Sequence, residues 1–345
     1  MSNAANGTAP GAGPSPGDRP IRAHVTGWGR YVPSQVLTNA DLEKMVDTND
    51  EWITERTGIK TRHIAEPGAA NSDLCLEAAR IALDDAGVDP AELDIVIVGT
   101  LTPDMPFPAT ACFLQAKIGA TRAYGMDLSA ACSGFVYSLS VADALIRAGR
   151  GKKALVVGAE ILSSVVDYTD RSTCILFGDG AGAAVLTECP EGDGVLSCHL
   201  HSDGNLWKLI YCPGGGTLHP YSPEMVEQRL RFIRMAGNET FKHAVLRMVE
   251  VSNEALTRNG VTIDDVKLFI PHQANLRIIQ VVGKRLGIPE ERVFVDLEKY
   301  GNTSAASIPI ALAEAKAQGR FAAGDLVLVV AFGGGLTWAS ALMRM

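Results

Sequence analysis

Part of this chain is written twice. The segment ALDDAGVDPAELDIVIVGTL, starting at Ala82, is echoed by ALTRNGVTIDDVKLFIPHQA, starting at Ala255. Gly87 pairs with Gly260, Val88 with Val261 and Leu93 with Val266, at a constant offset of 173 (260 − 87). Each copy reads as a helix end closed by glycine, a short polar link and a buried strand. The echo continues. AKIGATRAYGMDLSAACSG resembles KRLGIPEERVFVDLEKYGNTSAA, with Gly119 facing Gly287 and Asp127 facing Asp296. ALIRAGRGKKALVVGAE then matches AEAKAQGRFAAGDLVLVVAFGGG in its helix, its Gly-Arg stop and its following strand. Three agreeing segments in one order argue against coincidence.

The order within each half is helix, strand, helix, strand, helix, strand. It predicts an α/β protein of two similar halves related by a pseudo-twofold axis, with sheets covered by helices. The halves run over 22–190 and 191–345, preceded by a tail at 1–21. Ligands of open α/β sheets gather beyond the carboxyl ends of strands. Cys132, His272, Asn302 and the glycines 333–335 all follow such strands, which makes them the residues to weigh.

Bulk properties narrow the possibilities. A chain of 345 residues, 47% hydrophobic and 20% charged, suits a soluble globular protein with a sizeable core. Its formal net charge of −8 offers no general surface for nucleic acid. Seven cysteines without a CxxC pair read as reduced thiols. No metal site is expected, because HxxxH and HExxH are absent and the histidines do not join cysteines or carboxylates at ligand spacing. The Gly-, Ala-, Pro- and Ser-rich start lacks the basic and apolar regions of a signal peptide and reads as flexible. KALVVGAEILSSVV is too short to cross a bilayer. A cytoplasmic protein is expected, with neither nucleic acid nor membrane as partner.

Cys132 lies where small residues, DLSAACSG, give way to an apolar-periodic helix. Unpaired N–H groups and the helix dipole at such a start favour a thiolate. A buried structural cysteine is the bland alternative. His272 stands where a strand ends and a helix pattern resumes, at the position of Gly99 in the first half. Asn302 occupies the counterpart of the Cys132 loop, as a turn former, a helix cap or a donor to an oxyanion. FGDGAGAAVL does not have GxGxxG spacing and feeds a strand, and no GxxxxGK[ST] occurs, so nucleotide-phosphate loops are excluded.

Cysteine, histidine and asparagine in this order also suit papain-like proteases, and the 140-residue gap (272 − 132) falls in their range. The flanking protease signature is missing and a duplicated α/β chain is the wrong architecture. From about residue 22 onward the chain resembles the β-ketoacyl-acyl-carrier-protein synthase III family. The resemblance rests on TNADLEKMVDTNDEWITERTGI, DLSAACSGF, FGDGAGAAVL, PHQANLRII, GNTSAASIP and AFGGGLTW. Thiolases would need a second catalytic cysteine near the C-terminal glycines, and elongating condensing enzymes a histidine in place of Asn302.

The resemblance implies a thiolase-like fold, duplicated α/β halves layered αβαβα with pseudo-twofold symmetry. It implies decarboxylative Claisen condensation of an acyl-coenzyme A, acetyl above all, with malonyl-acyl-carrier protein, without a resident cofactor. The runner-up is a specialised-metabolism relative using another acyl group; a degenerate subunit assisting a partner is a third reading, opposed by the complete Cys, His, Asn set. The resemblance makes Cys132 the nucleophile, and His272 and Asn302 the donors to the malonyl thioester oxygen. The N–H groups of Cys132, Gly334 and Gly335 would hold the second oxyanion. Trp52 and Arg171 match residues that sandwich the adenine, with Arg56 on the same helical face as Trp52 and Asn275 at a pantetheine contact. Phe107 corresponds to a residue that reaches into a neighbouring subunit's acyl pocket, which implies a homodimer. Arg277, Lys284 and Arg285, spaced i, i+7, i+8, together with Lys242, would dock the acidic carrier protein. Segment 205–235 lies where the family shapes its acyl pocket, so primer length stays open.

Overall fold

The computed structural model describes residues 21–190 and 192–345. The tail expected at 1–21 lies outside the described residues, except that Ile21 already opens a strand. The first sheet has five strands in the order Ile21–Tyr31, Gly180–Pro190, Lys153–Glu160, Ile95–Gly99, Tyr124–Leu128. The last three are mutually parallel, and the first two run antiparallel to their neighbours. The second sheet takes the order Gly194–Ser202, Thr337–Arg344, Leu326–Gly333, Val266–Pro271. It repeats the pattern, with its parallel pair at Leu326–Gly333 and Val266–Pro271. The sequence offset carries over into space: adding 173 to Ile21 and Lys153 gives Gly194 and Leu326, the first residues of the equivalent strands.

One expected strand is missing. Tyr124–Leu128 has as its counterpart only a single parallel bridge, Val293 to Phe269. The Gln273 side chain takes over the ladder bonds there. Its Nε2 donates to the carbonyls of Pro271 (2.7 Å) and Phe294 (3.2 Å), and its Oε1 accepts from Asp296 N–H (3.0 Å). A side chain that supplies both donor and acceptor lets the segment leave the sheet without orphaned backbone groups.

The layers follow from burial. Helices Gly134–Arg147 and Ser307–Ala317 lie between the sheets, and Phe135, Leu139, Ile308 and Leu312 join strand residues of both in one cluster. Ser307–Ala317 is buried nearly all round, as a central helix must be. Full burial of a side chain such as Phe135 contributes about 1.5–3 kcal/mol. Asn71–Ala86 covers the outer face of the first sheet, where Leu74 and Ala78 meet Val96 and Leu155. Gly237–Asn259 and Leu276–Leu286 cover the second, where Met248 and Val282 meet Leu328 and Val330. The arrangement is αβαβα. Among the described residues, no helix is long and apolar enough to cross a membrane.

The glycines that signalled the repeat end its helices. Gly87 and Gly260 are left-handed caps at φ 62° and 64°, and Gly119 and Gly287 at 77° and 73°. A second matched pair is not glycine. Ala131 and Ser304, again 173 apart (304 − 131), sit at φ 46° and 50°. Each opens a single 3₁₀ turn, Ala131–Ser133 or Ser304–Ala306, that feeds a central helix. These two strained turns abut at the join of the halves, where Gly158 has no room for a Cβ against the Ala305 carbonyl (2.2 Å).

Candidate active site

Cys132 is the middle residue of the first of these turns. The backbone of Gly333 lies against it: a Cβ at 333 would stand 2.6 Å from the Cys132 nitrogen. Glycine is required there by close approach. Thr337 Oγ1 bonds to the carbonyls of Ala130 (2.8 Å) and Gly334 (3.2 Å), tying the cysteine turn to the glycine loop. This loop brings Gly334 and Gly335 to the same corner.

The helix start predicts a thiol eased toward its anion, and the structure reverses that. Cys132 keeps partial exposure, yet burial pushes its thiol up to about 12, and the nearby Glu160 carboxylate adds to the shift. The Ser304 hydroxyl in the sister turn opposes it only in part. Desolvation outweighs the backbone N–H offered at the helix start. The resting group is the protonated thiol.

His272 follows strand Val266–Pro271, its N–H held by the Val330 carbonyl at 2.8 Å. The ring is buried and its Nδ1 lies 2.7 Å from Ser307 Oγ, in the first turn of the central helix. Burial lowers its pKa to about 3, so the imidazole is neutral. Ser307 Oγ accepts the Gln273 N–H (3.4 Å) and can donate its own proton to Nδ1. We therefore assign the ring proton to Nε2. Asn302 is oriented in the same way. Its Oδ1 accepts the Ser304 N–H at 2.9 Å, so Nδ2 is left as a free donor. Two neutral donors suit an oxygen that gains negative charge.

Cys132, His272 and Asn302 line one cavity of about 700 Å³. Ile210 and Met235, from segment 205–235, line it too, as does Phe332. The exposed side chains Arg56, Lys242 and Arg277 border it together with Glu239, which pairs with Lys242 at 2.9 Å, so the rim of an acidic protein is net positive here. Asn275 also lines it, but its amide is engaged: Oδ1 caps Arg277 N–H (2.9 Å) and Nδ2 donates to the Arg56 carbonyl (3.0 Å). Arg171 and Arg56 both stack on Trp52, 4.9 and 5.3 Å from the ring centre. Lys284 and Arg285 are exposed at the far end of helix Leu276–Leu286 and do not border the cavity. Phe107 is 84% exposed, outside the cavity of its own chain.

Sequence reasoning missed three residues that organise the site: Ser304, Ser307 and Glu160. A signal existed for two of them. Ser304 sits 173 residues after Ala131, in the sister turn, and Glu160 sits 173 before Gly333 (333 − 160), ending an otherwise apolar strand.

Two interlocked, duplicated sheets with a cysteine turn at their junction are the architecture of the thiolase-like condensing enzymes. Comparison with known proteins narrows this class. Residues 126–204 match the family described as 3-oxoacyl-[acyl-carrier-protein (ACP)] synthase III, and residues 256–345 match its C-terminal part. The β-ketoacyl-[acyl-carrier-protein] synthase III of Roseiflexus sp. (strain RS-1) is 54% identical over 322 residues, covering 93% of this chain and 98% of that protein. The crystal structure of 3-oxoacyl-[acyl-carrier-protein] synthase III from Aquifex aeolicus VF5 has a TM-score of 0.87 at 49% identity, covering 94% of this chain and all of that one. The priming β-ketosynthase of the R1128 polyketide pathway has the same TM-score, 0.87, at 38% identity, covering 96% and 99%. The chain belongs to the β-ketoacyl-[acyl-carrier-protein] synthase III family. It is an acyl-transferring condensing enzyme that initiates fatty-acid synthesis.

Proposed function

We propose that the enzyme joins an acyl-coenzyme A primer, acetyl-coenzyme A first among them, to malonyl-acyl-carrier protein. Cys132 attacks the primer thioester, releasing coenzyme A and leaving an acyl-enzyme. Malonyl-acyl-carrier protein then enters and loses carbon dioxide. His272 Nε2 and Asn302 Nδ2 hydrogen-bond the thioester oxygen as the enolate forms. The enolate carbon attacks the acyl-cysteine carbonyl, whose oxyanion is held by the N–H groups of Cys132, Gly334 and Gly335, and a 3-oxoacyl product departs on the carrier. Decarboxylation generates the carbanion, so no strong base is required. The observation that carries this reading is that one cavity holds the thiol beside two neutral donors.

The coenzyme A nucleotide binds at Trp52, Arg56 and Arg171, with Asn275 beside the pantetheine. In the free protein Arg171 lies over the Trp52 ring, so a purine stacking there displaces it. Each such cation–π contact is worth about 0.5–1 kcal/mol at an exposed site. Lys242 and Arg277 at the rim, with Lys284 and Arg285 further along the helix, receive the carrier protein. Reversing charge at Arg277 and Lys242 is expected to raise the carrier KM about tenfold and flatten its salt dependence. Unchanged values at low and high salt in steady-state assays would remove the docking role. On this reading the enzyme works in the cytoplasm as a homodimer, with Phe107 reaching the partner's acyl pocket and no resident cofactor.

Lower identity to the polyketide priming enzyme than to the Roseiflexus and Aquifex proteins weighs against a specialised-metabolism role. The test is intact-mass measurement after incubation with acyl-coenzyme A esters of increasing length. An acetyl adduct confined to Cys132 supports the reading. No adduct from any ester refutes it, and adducts from longer esters alone would refute the acetyl primer.

A further inference from the structure

The offset of 173 relates one more contact in each half. His272 stands at the position of Gly99 (272 − 173), and Ser307 at that of Gly134 (307 − 173). Gly99 ends strand Ile95–Gly99, and Gly134 opens helix Gly134–Arg147 as Ser307 opens Ser307–Ala317. In the first half the two glycines touch: a Cβ on Gly99 would stand 2.7 Å from the Gly134 carbonyl. In the second half the same place holds the His272 ring and the Ser307 hydroxyl, with Nδ1 2.7 Å from Oγ. Packing a strand end on a central helix therefore needs neither side chain. The hydroxyl stands only where there is an imidazole to orient.

Ser307 is buried, so its single hydroxyl proton has to find an acceptor within the protein. Oγ accepts the Gln273 N–H at 3.4 Å, and among the described residues His272 Nδ1 is the one partner left for the hydroxyl proton. The opposite arrangement, with Nδ1–H aimed at Oγ, would leave that proton buried and unpaired. It would also point an N–H at the first turn of a helix, whose positive end favours a lone pair. Burial keeps the ring from taking a second proton. A neutral imidazole has one proton for two nitrogens, so making Nδ1 an acceptor makes Nε2 the donor.

We propose that Ser307 is a positioning residue, whose hydroxyl holds His272 in the tautomer that donates from Nε2 to the enolate oxygen. The inference rests on the function proposed above. His272 lines the cavity and Ser307 does not, so the hydroxyl acts only through the ring. Acylation of Cys132 does not use that donor. Loss of the hydroxyl should therefore be felt in the malonyl half-reaction alone.

Ring-nitrogen chemical shifts of enzyme made with isotope-labelled histidine report the tautomer, with His272→Gln identifying the resonances. Wild type is expected to show a protonated Nε2 and a bare Nδ1 at neutral pH. In Ser307→Ala the two shifts should move toward each other as the tautomers mix. Carbon dioxide release from malonyl-acyl-carrier protein should fall about tenfold in kcat with little change in KM, and acylation by acetyl-coenzyme A should stay within about twofold. Glycine serves at the sister position, so the variant should keep its thermal midpoint. A wild-type ring protonated on Nδ1 overturns the proposal whatever the variant does. A folded Ser307→Ala enzyme that keeps Nε2–H alone, or that decarboxylates at the wild-type rate, overturns it too and leaves the proposed function standing. If wild type neither forms an acyl adduct nor releases carbon dioxide, the function fails and this role with it.

Discussion

Cys132→Ala abolishes the acyl adduct and lowers condensation by at least about 10⁴-fold, the scale on which removal of a covalent nucleophile is felt. This is the largest effect expected of any single substitution. Decarboxylation of malonyl-acyl-carrier protein, which does not use the sulfur as nucleophile, should continue in the variant. Two assays on one preparation separate the steps: intact mass for the adduct and labelled carbon dioxide release for the second half-reaction. Condensation surviving within tenfold of wild type would place the nucleophile elsewhere. The small side chain suits the half-buried site, so the variant should retain its thermal midpoint.

His272→Ala and Asn302→Ala carry the second largest effect. Each removes one donor to the developing enolate, for a loss of about 10²–10³ in decarboxylation, while acylation of Cys132 changes far less. The reverse pattern would move these residues to the first half-reaction. His272 also makes a pH prediction of definite sign. Its folded pKa, about 3, lies below the ordinary 6.5 because the ring is buried. Below 6.5 the unfolded chain takes up a proton that the native one refuses, so stability is lost as pH falls toward 3. The slope is about 1.4 kcal/mol per pH unit. Between pH 7 and 5, wild type should therefore lose about 2 kcal/mol more than His272→Gln, measured by urea unfolding. Equal losses would mean that the imidazole is not buried neutral.

Much of this molecule was legible before any coordinates. The repeat could be read because its punctuation is local: Gly87, Gly119, Gly260 and Gly287 sit in left-handed caps that chain chemistry requires, wherever the helices pack. Cys132 and His272 could be placed because they follow strands, and Asn302 because it stands in the counterpart of the Cys132 loop. What could not be read depends on side chains that meet across long sequence separations. Gln273 replaces a strand's ladder with its amide, which no periodicity reveals. The charge state of Cys132 was misjudged because a helix start is visible in sequence and desolvation is not. Glu160 looked like the end of a strand, and its link to Ser304 spans 144 residues.

The pairing of the two left-handed turns has a consequence for how this enzyme fails. On the proposed scheme neither half holds a complete reaction centre, since the sulfur comes from one and the imidazole and amide from the other. Damage need not touch any of these groups to be felt. A substitution that merely wedges the central helices apart, such as enlarging Gly158 against Ala305, would misalign the two contributions together. Loss of activity should then precede loss of fold, and inactive but well-folded variants should cluster along the seam.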